Sequence, residues 1–423
     1  MGCASEKPQG NTMTFDAPVY GSVEAIANLL PTYNLGGVPE PSLEELASMQ
    51  NGSYILHAKE GKLNKVPVEK MLLPHDPKGH PQAIRAVMGP DNTVYFSQHT
   101  LLSKSTDAGL TWKTNELTPE ALQISSFQIL SDGTFVGVHS GDSEKPDRIV
   151  VQRSCDEGET WENLSEVDNP AGCPVRYSNT LCRLPDDTLI LPIESRFEHN
   201  QDPNYVHCST DGGKTWTGPT GPHGEPAFVN THWVGPNTGP GFLGPCSHET
   251  MIARMASGNL LSVIRYHGPV VPQWPLIDPG QHPHYKTVFL ADSADQGKTW
   301  TNMRPLTNVH GQCHGFAAGF SDGSVVVTFD HRYIPGTPGA KAMISHDEGM
   351  TWEDEVYYLY SATVPEGLAG FSQSVILEDE TILTLAAATD VGRSKNLKSS
   401  ATGNSSISMI GHTDAWAIRW KLE

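Results

Sequence analysis

Long hydrophobic runs are missing: no apolar stretch of the 423 residues is long enough to cross a bilayer as a helix. Positive charge is scarce, with 28 Lys and Arg against 48 Asp and Glu and a formal net charge of −20. Such a field repels nucleic acid and anionic membranes, so a polyanion would need a local basic cluster working against the whole. Cysteine is sparse, seven in all, and Cys155, Cys173, Cys182, Cys208, Cys246 and Cys313 show no C-x-x-C spacing that would indicate a pairing. The histidine groups His282-Pro-His284 and His310-Gly-Gln-Cys-His314 lack the partner pattern of a zinc site, so neither a metal nor a cofactor is expected.

What the chain has in quantity is turn-forming residues, 40 Gly and 32 Pro, as suits a many-turned all-β protein. It also repeats itself. The phrase S-x-D-x-G-x-T-W occurs five times, starting at Ser105, Ser154, Ser209, Ser293 and Ser345. Its Asp accepts hydrogen bonds from turn backbone, its Gly supplies a positive φ, and Thr-Trp restarts a strand with a large anchor to bury. A second repeat of turn pairs flanked by apolar runs surrounds it: Asp91-Asn92, Asp132-Gly133, Asp186-Asp187, Ser257-Gly258, Asp322-Gly323 and Asp379-Glu380. Each of the first five precedes a phrase, and the sixth precedes a degenerate hairpin at His412–Trp416. Six units of four short strands that cannot bury both faces alone stack radially. The expected architecture is therefore all-β, a six-bladed β-propeller over residues 53–423 with the phrase at each third-to-fourth strand hairpin and every phrase Trp buried.

Residues 1–52 do not read as a blade. Helical patterns at Ser22–Leu30 and Ser42–Met49, the second with a Ser42/Glu45 capping box, predict an arm with two short helices lying on the propeller. Two strand-like runs follow, Tyr54–His57 and Val66–Leu73, one of them a candidate for closing the ring against the last blade.

The phrases resemble the Asp boxes, or BNR repeats, of the sialidase (neuraminidase) superfamily, a resemblance spanning Ala83 to Trp420. In that family the boxes lie away from the active site, which implies that Asp107, Asp156, Asp211, Asp295 and Asp347 are structural. The N-terminal Met-Gly-Cys3-Ala-Ser-Glu-Lys resembles the mature end of a bacterial lipoprotein. It implies a possible lipid anchor at Cys3 and an extracytoplasmic protein, secreted or attached to the surface or periplasm. Oligomeric state is not written in the sequence.

In a propeller, residues at one end of the first two strands of each blade point into a common axial pocket. By blade these are Arg85 and His99; His139; Tyr177, Glu194 and Arg196; Glu249 and Arg265; His314 and Arg332; and Phe371. Arginines in such a cluster suit a ligand carboxylate, which a guanidinium fork binds bidentately. The segment Ser247–Arg265 is similar to the sialidase stretch in which a Glu precedes a strand, an x-G turn and a second strand ending in Arg. The resemblance implies that Glu249 partners the nucleophile and that Arg265, Arg85 and Arg332 form a triad for the substrate carboxylate. Two departures stand out. The family's Tyr-Ser pair is Phe371-Ser372 here, and the short Gln98–Leu101 loop has no Asp to act as acid. His99 and Tyr177 are the substitutes the chain offers, with Glu194 or Glu249 to take the tyrosine proton. The expected function is an exo-acting sialidase-superfamily glycoside hydrolase on an acidic, sialic-acid-like or uronate-containing glycan. Alternatives are a lyase that eliminates across a uronate, and a glycan-binding propeller without turnover.

Overall fold

In the computed structural model every S-x-D-x-G-x-T-W segment closes the same loop. In the first copy the Ser105 hydroxyl donates to Asp107 Oδ1 at 2.7 Å and accepts from the Gly109 amide at 2.8 Å. Thr111 donates to both Asp107 oxygens, from its amide at 2.8 Å and its hydroxyl at 2.6 Å, and Trp112 Nε1 donates to the Gly109 carbonyl at 3.1 Å. The same Ser-to-Asp and Thr-to-Asp bonds recur at Asp156, Asp211, Asp295 and Asp347. Thr hydroxyl donors hold the Asp107 and Asp156 carboxyls down at about 2, so they remain ionised acceptors at neutral pH. Glycine is required twice over at the fifth position. Gly109 sits at φ 87° and Gly158 at 85°, and a Cβ there would strike Leu383 and Leu102 of the preceding blade.

The structure describes residues 38–74, 85–98, 101–117, 124, 126–140, 146–169, 174–178, 180–195, 204–218, 246–270, 284–306, 312–331, 339–352, 354–361, 368–369, 372–389 and 413–423. Helix α1 (Leu43–Asn51) precedes strands β1 (Tyr54–Lys59), β2 (Lys62–Pro67) and β3 (Glu69–Leu72). Blade one comprises β4 (Arg85–Met88), β5 (Val94–Gln98), β6 (Leu101–Ser105) and β7 (Lys113–Glu116). Blade two comprises β8 (Ser126–Ile129), β9 (Phe135–Ser140), β10 (Arg148–Ser154) and β11 (Glu162–Asp168). In blade three, β12 (Val175–Ser178) and β13 (Cys182–Arg183) both pair with β14 (Leu189–Ser195), followed by β15 (Asn204–Ser209) and a single Cys208–Thr217 bridge. Blade four comprises β16 (Cys246–Arg254), β17 (Leu260–Val270), β18 (His284–Ser293) and β19 (Thr301–Pro305). Blade five comprises β20 (Gln312–Gly319), β21 (Val325–His331), β22 (Gly339–Ser345) and β23 (Glu355–Ser361). Blade six comprises β24 (Leu368–Ala369) and β25 (Gln373–Ile376), both pairing with β26 (Ile382–Thr389), and then β27 (Thr413–Trp420). The result is a six-bladed β-propeller with antiparallel blades. All six first-to-second strand hairpins turn at the pairs marked in the sequence, with positive φ at Asn92, Gly133, Asp187, Gly258, Gly323 and Glu380.

The chain preceding the first blade serves the last two. Ser42 caps α1, accepting from the Glu45 amide at 3.2 Å while Glu45 Oε2 accepts from the Ser42 amide at 2.8 Å, and Leu46 and Met49 bury against the seam of blades four and five. The run Val66–Leu73 is not one strand. It breaks after Pro67, where the Val68 amide turns back to the Ser53 carbonyl at 3.0 Å. The hairpin β1–β2 extends blade five beyond β23, and β3 becomes the outer strand of blade six, with Leu72 opposite Trp416. The first predicted helix, Ser22–Leu30, and Cys3 lie outside the described residues.

Apolar side chains pack between neighbouring blades, as radial stacking requires. The phrase tryptophans are less uniform than expected. Trp161 and Trp300 are 7 % and 5 % exposed, whereas Trp112, Trp216 and Trp352 are half-buried at the rim of the seams. All five Nε1 groups donate to their own loop glycine carbonyl, so the difference lies in what covers the ring. Trp161 gains cover because Gly137 presents bare backbone to its ring and Phe135 meets it edge-on at 6.3 Å.

Candidate active site

Three successive blades place an extra residue at the same level of their innermost strand. Val175 and Tyr177 face Ser195 and Glu194; His248 and Met251 face Arg265 and Val263; Cys313 and Gly315 face Asp330 and Phe329. Each is a β-bulge, which bends the strand and re-aims a side chain. Glu249 and His314 sit in these bulges at φ 38° and 22°, a conformation that costs a non-glycine residue roughly 1–3 kcal/mol and that clusters at functional sites. The second strands are equally regular. Leu189, Leu260 and Val325 pair with the serines of their Asp boxes, and five residues further on stand Glu194, Arg265 and Asp330.

These levels meet at the axis. The Arg265 Nη1 group donates to Glu249 Oε2 at 2.5 Å, and His314 Nε2 lies 2.5 Å from that same oxygen and 3.0 Å from Arg265 Nη1. The other ring nitrogen of His314 contacts Asp330 Oδ1 at 3.0 Å. Glu194 Oε2 accepts the Glu249 backbone amide at 2.9 Å, tying blade three to blade four. Arg85 arrives from blade one. Burial lowers its guanidinium to about 10, the charge of Glu249 partly offsets this, and the guanidinium lies 5.2 Å above the Phe316 ring. Glu194 and Asp330 have no solvent exposure and His314 has 1 %, so these charges act on one another at low dielectric. Gly315 permits the approach, because a Cβ there would collide with Val263 on blade four.

The structure thus brings together Arg85, Glu194, Glu249, Arg265 and His314 from the residues named in the sequence. Tyr177 lies opposite Glu194 in the strand register. His139 is one residue short of the shared level, which in a strand turns it to the other face, and its Nδ1 lies 2.8 Å from the Ser140 carbonyl. His99, Arg196, Arg332 and Phe371 lie outside the described residues, as do residues 219–245 and 271–283 of the Gly- and Pro-rich tracts. Asp330 was not singled out by sequence reasoning. Its signal was present: it stands at the same offset from its strand start as Glu194 and Arg265. Among the described residues no group of three His, Cys, Asp or Glu is arranged to hold a metal ion. What the cluster offers is a pair of buried carboxylates, one charge-neutralised by cations and one bonded to its backbone.

No protein-family model and no curated protein matches the sequence. Among solved structures, a protein of unknown function from Dyadobacter fermentans is 15 % identical with a TM-score of 0.57, covering 84 % of this chain and 98 % of that one. An α-L-arabinofuranosidase from Fusarium graminearum, in complex with an iminosugar inhibitor, is 16 % identical with a TM-score of 0.56, covering 83 % and 97 %. A Penicillium chrysogenum α-L-arabinanase complexed with arabinobiose is 12 % identical with a TM-score of 0.53, covering 83 % and 98 %. At these identities the likeness is one of fold, the six-bladed β-propeller.

Proposed function

We propose that this protein is a glycoside hydrolase whose reaction is carried by Glu249 and Glu194. The observation behind this reading is the bond from the Glu249 amide to the Glu194 carboxylate, which ties two buried glutamates of neighbouring blades together at the axis. Glycoside hydrolysis needs such a pair, one member to stabilise or attack the developing oxocarbenium ion and the other to move the proton. Arg265 and His314 contact Glu249 and Arg85 adds charge, so Glu249 is the member kept anionic. Proton transfer then falls to Glu194. The arabinofuranosidase and arabinanase of similar fold are hydrolases by name, which supports the reaction class.

The paired charges among the described residues at the axis favour a neutral sugar over an acidic one. Among the described residues there, Glu194, Glu249 and Asp330 face Arg85, Arg265 and His314, and both guanidiniums have Glu249 as a counter-charge. A clamp for a substrate carboxylate needs cationic charge in excess.

Aryl glycosides and oligosaccharides, neutral and acidic, followed by mass spectrometry for addition of water, test both parts. Glu249→Gln and Glu194→Gln should each lower turnover of a neutral glycan by at least about 10²–10⁴-fold. Full activity in Glu249→Gln would overturn the reading, and selective hydrolysis of sialosides or uronides would overturn the substrate class.

A further inference from the structure

We propose that His314 is a positioning residue for Glu249, with Asp330 as its anchor; the inference rests on the hydrolase reading above. His314 spends both ring nitrogens on carboxylates of different strands, Glu249 Oε2 at 2.5 Å and Asp330 Oδ1 at 3.0 Å. An ion pair for Glu249 exists without it, since Arg265 contacts the same oxygen at 2.5 Å. The histidine adds direction. The terminal torsion of a glutamate is broad, and a second donor on the same oxygen, from β20 beside the one from β17, narrows the arc open to the carboxylate. Asp330, without solvent exposure, fixes the ring in turn, the division of labour by which a buried carboxylate orients a catalytic histidine in hydrolase triads.

The backbone bears a cost for this contact. His314 adopts φ 22° in a one-residue bulge, and the glycine after it lets β20 lie close against Val263 so that the ring can cross from blade five to blade four. Stability alone is a poor reason for such an arrangement, because buried ion pairs seldom improve on apolar packing. Placement of Glu249 to within a fraction of an ångström is a sufficient one, since misplacement by about 1 Å can cost roughly 10²-fold in rate.

The test uses the full chain with His314→Gly, a residue at home at this φ that leaves an imidazole-sized gap, and His314→Gln, which retains an amide donor. His314→Gly should lower kcat about 10²-fold with KM nearly unchanged, and added imidazole should restore roughly a tenth or more of the loss. His314→Gln should fall between it and wild type. Crystal structures should show the Glu249 carboxylate displaced in His314→Gly and returned when imidazole binds. Full kcat in folded His314→Gly beside an inactive Glu249→Gln overturns the positioning role and leaves the hydrolase reading standing. An active Glu249→Gln sinks that reading instead. If no glycan is turned over by wild type, the crystal position of Glu249 decides, and an unmoved carboxylate in His314→Gly overturns the proposal.

Discussion

At the scale of single residues, Arg85 shows the tension between site and stability. Burial brings its guanidinium down to about 10, against a partial offset from Glu249. The folded value lies below the unfolded one, so the unfolded chain holds this proton more tightly and the charge opposes folding at neutral pH by roughly 3 kcal/mol. That cost relaxes only as pH climbs through 10 towards the unfolded value. Arg85→Met should therefore keep or raise the Tm while lowering glycan turnover. A Tm loss of more than several degrees would show Arg85 to be a structural residue. Arg85, Glu249 and Arg265 were legible as types at positions, but their convergence was not. The contact of His314 with Glu249 joins strands of different blades, and neither bulge that makes it leaves a mark in hydrophobic periodicity.

At the scale of elements, the β1–β2 hairpin depends on one carboxylate. Glu355 of β23 receives His57 Nε2 at 2.7 Å and Lys59 Nζ at 2.7 Å, and His57 stacks on Tyr357 at 4.1 Å. Burial pushes the Glu355 carboxyl up, but these hydrogen bonds and charges outweigh it and hold the group at about 2. Its stabilisation is complete above the unfolded value near 4.5 and is lost as pH falls from there through about 2. Chemical denaturation at pH 7 and at pH 2–3 should show Glu355→Gln destabilised by about 2–3 kcal/mol at neutral pH, with the gap to wild type closing in acid. A pH-independent difference would mean that packing, not charge, holds the hairpin. The sequence marked this strand as apolar and extended. It carried no sign that blade five would be its neighbour.

At the scale of the whole molecule, an N-terminal strand closes the ring. Leu73, 2 % exposed, donates its amide to the Ala415 carbonyl at 2.7 Å, and β3 pairs with β27 along Glu69–Leu72. A side chain secures the inner seam, where Gln373 accepts the Ala86 amide at 3.0 Å and donates to the Ala86 carbonyl at 2.7 Å. Deleting residues 1–73 removes the outer strand of blade six and leaves β27 as an open edge, the kind that templates aggregation. The deletion should lower the Tm by about 10 °C or more, or yield insoluble protein. A soluble deletion variant with wild-type Tm would show that the ring closes without β3.

The sequence by itself determined the repeat. Turn chemistry is local, so S-x-D-x-G-x-T-W and the turn pairs before it state where each hairpin bends, and alternating apolar runs between them state that blades must stack. The Ser42–Glu45 cap of α1 was legible for the same reason, since its donors and acceptors lie within one turn. Only the tertiary structure decided which blades the first strands join, because any edge strand can accept another. It alone decided that Asp330, His314 and Glu249 share an axis: a bulge inserts one residue out of phase with the strand period, and the partners it selects lie on other strands and, for Glu249, on another blade.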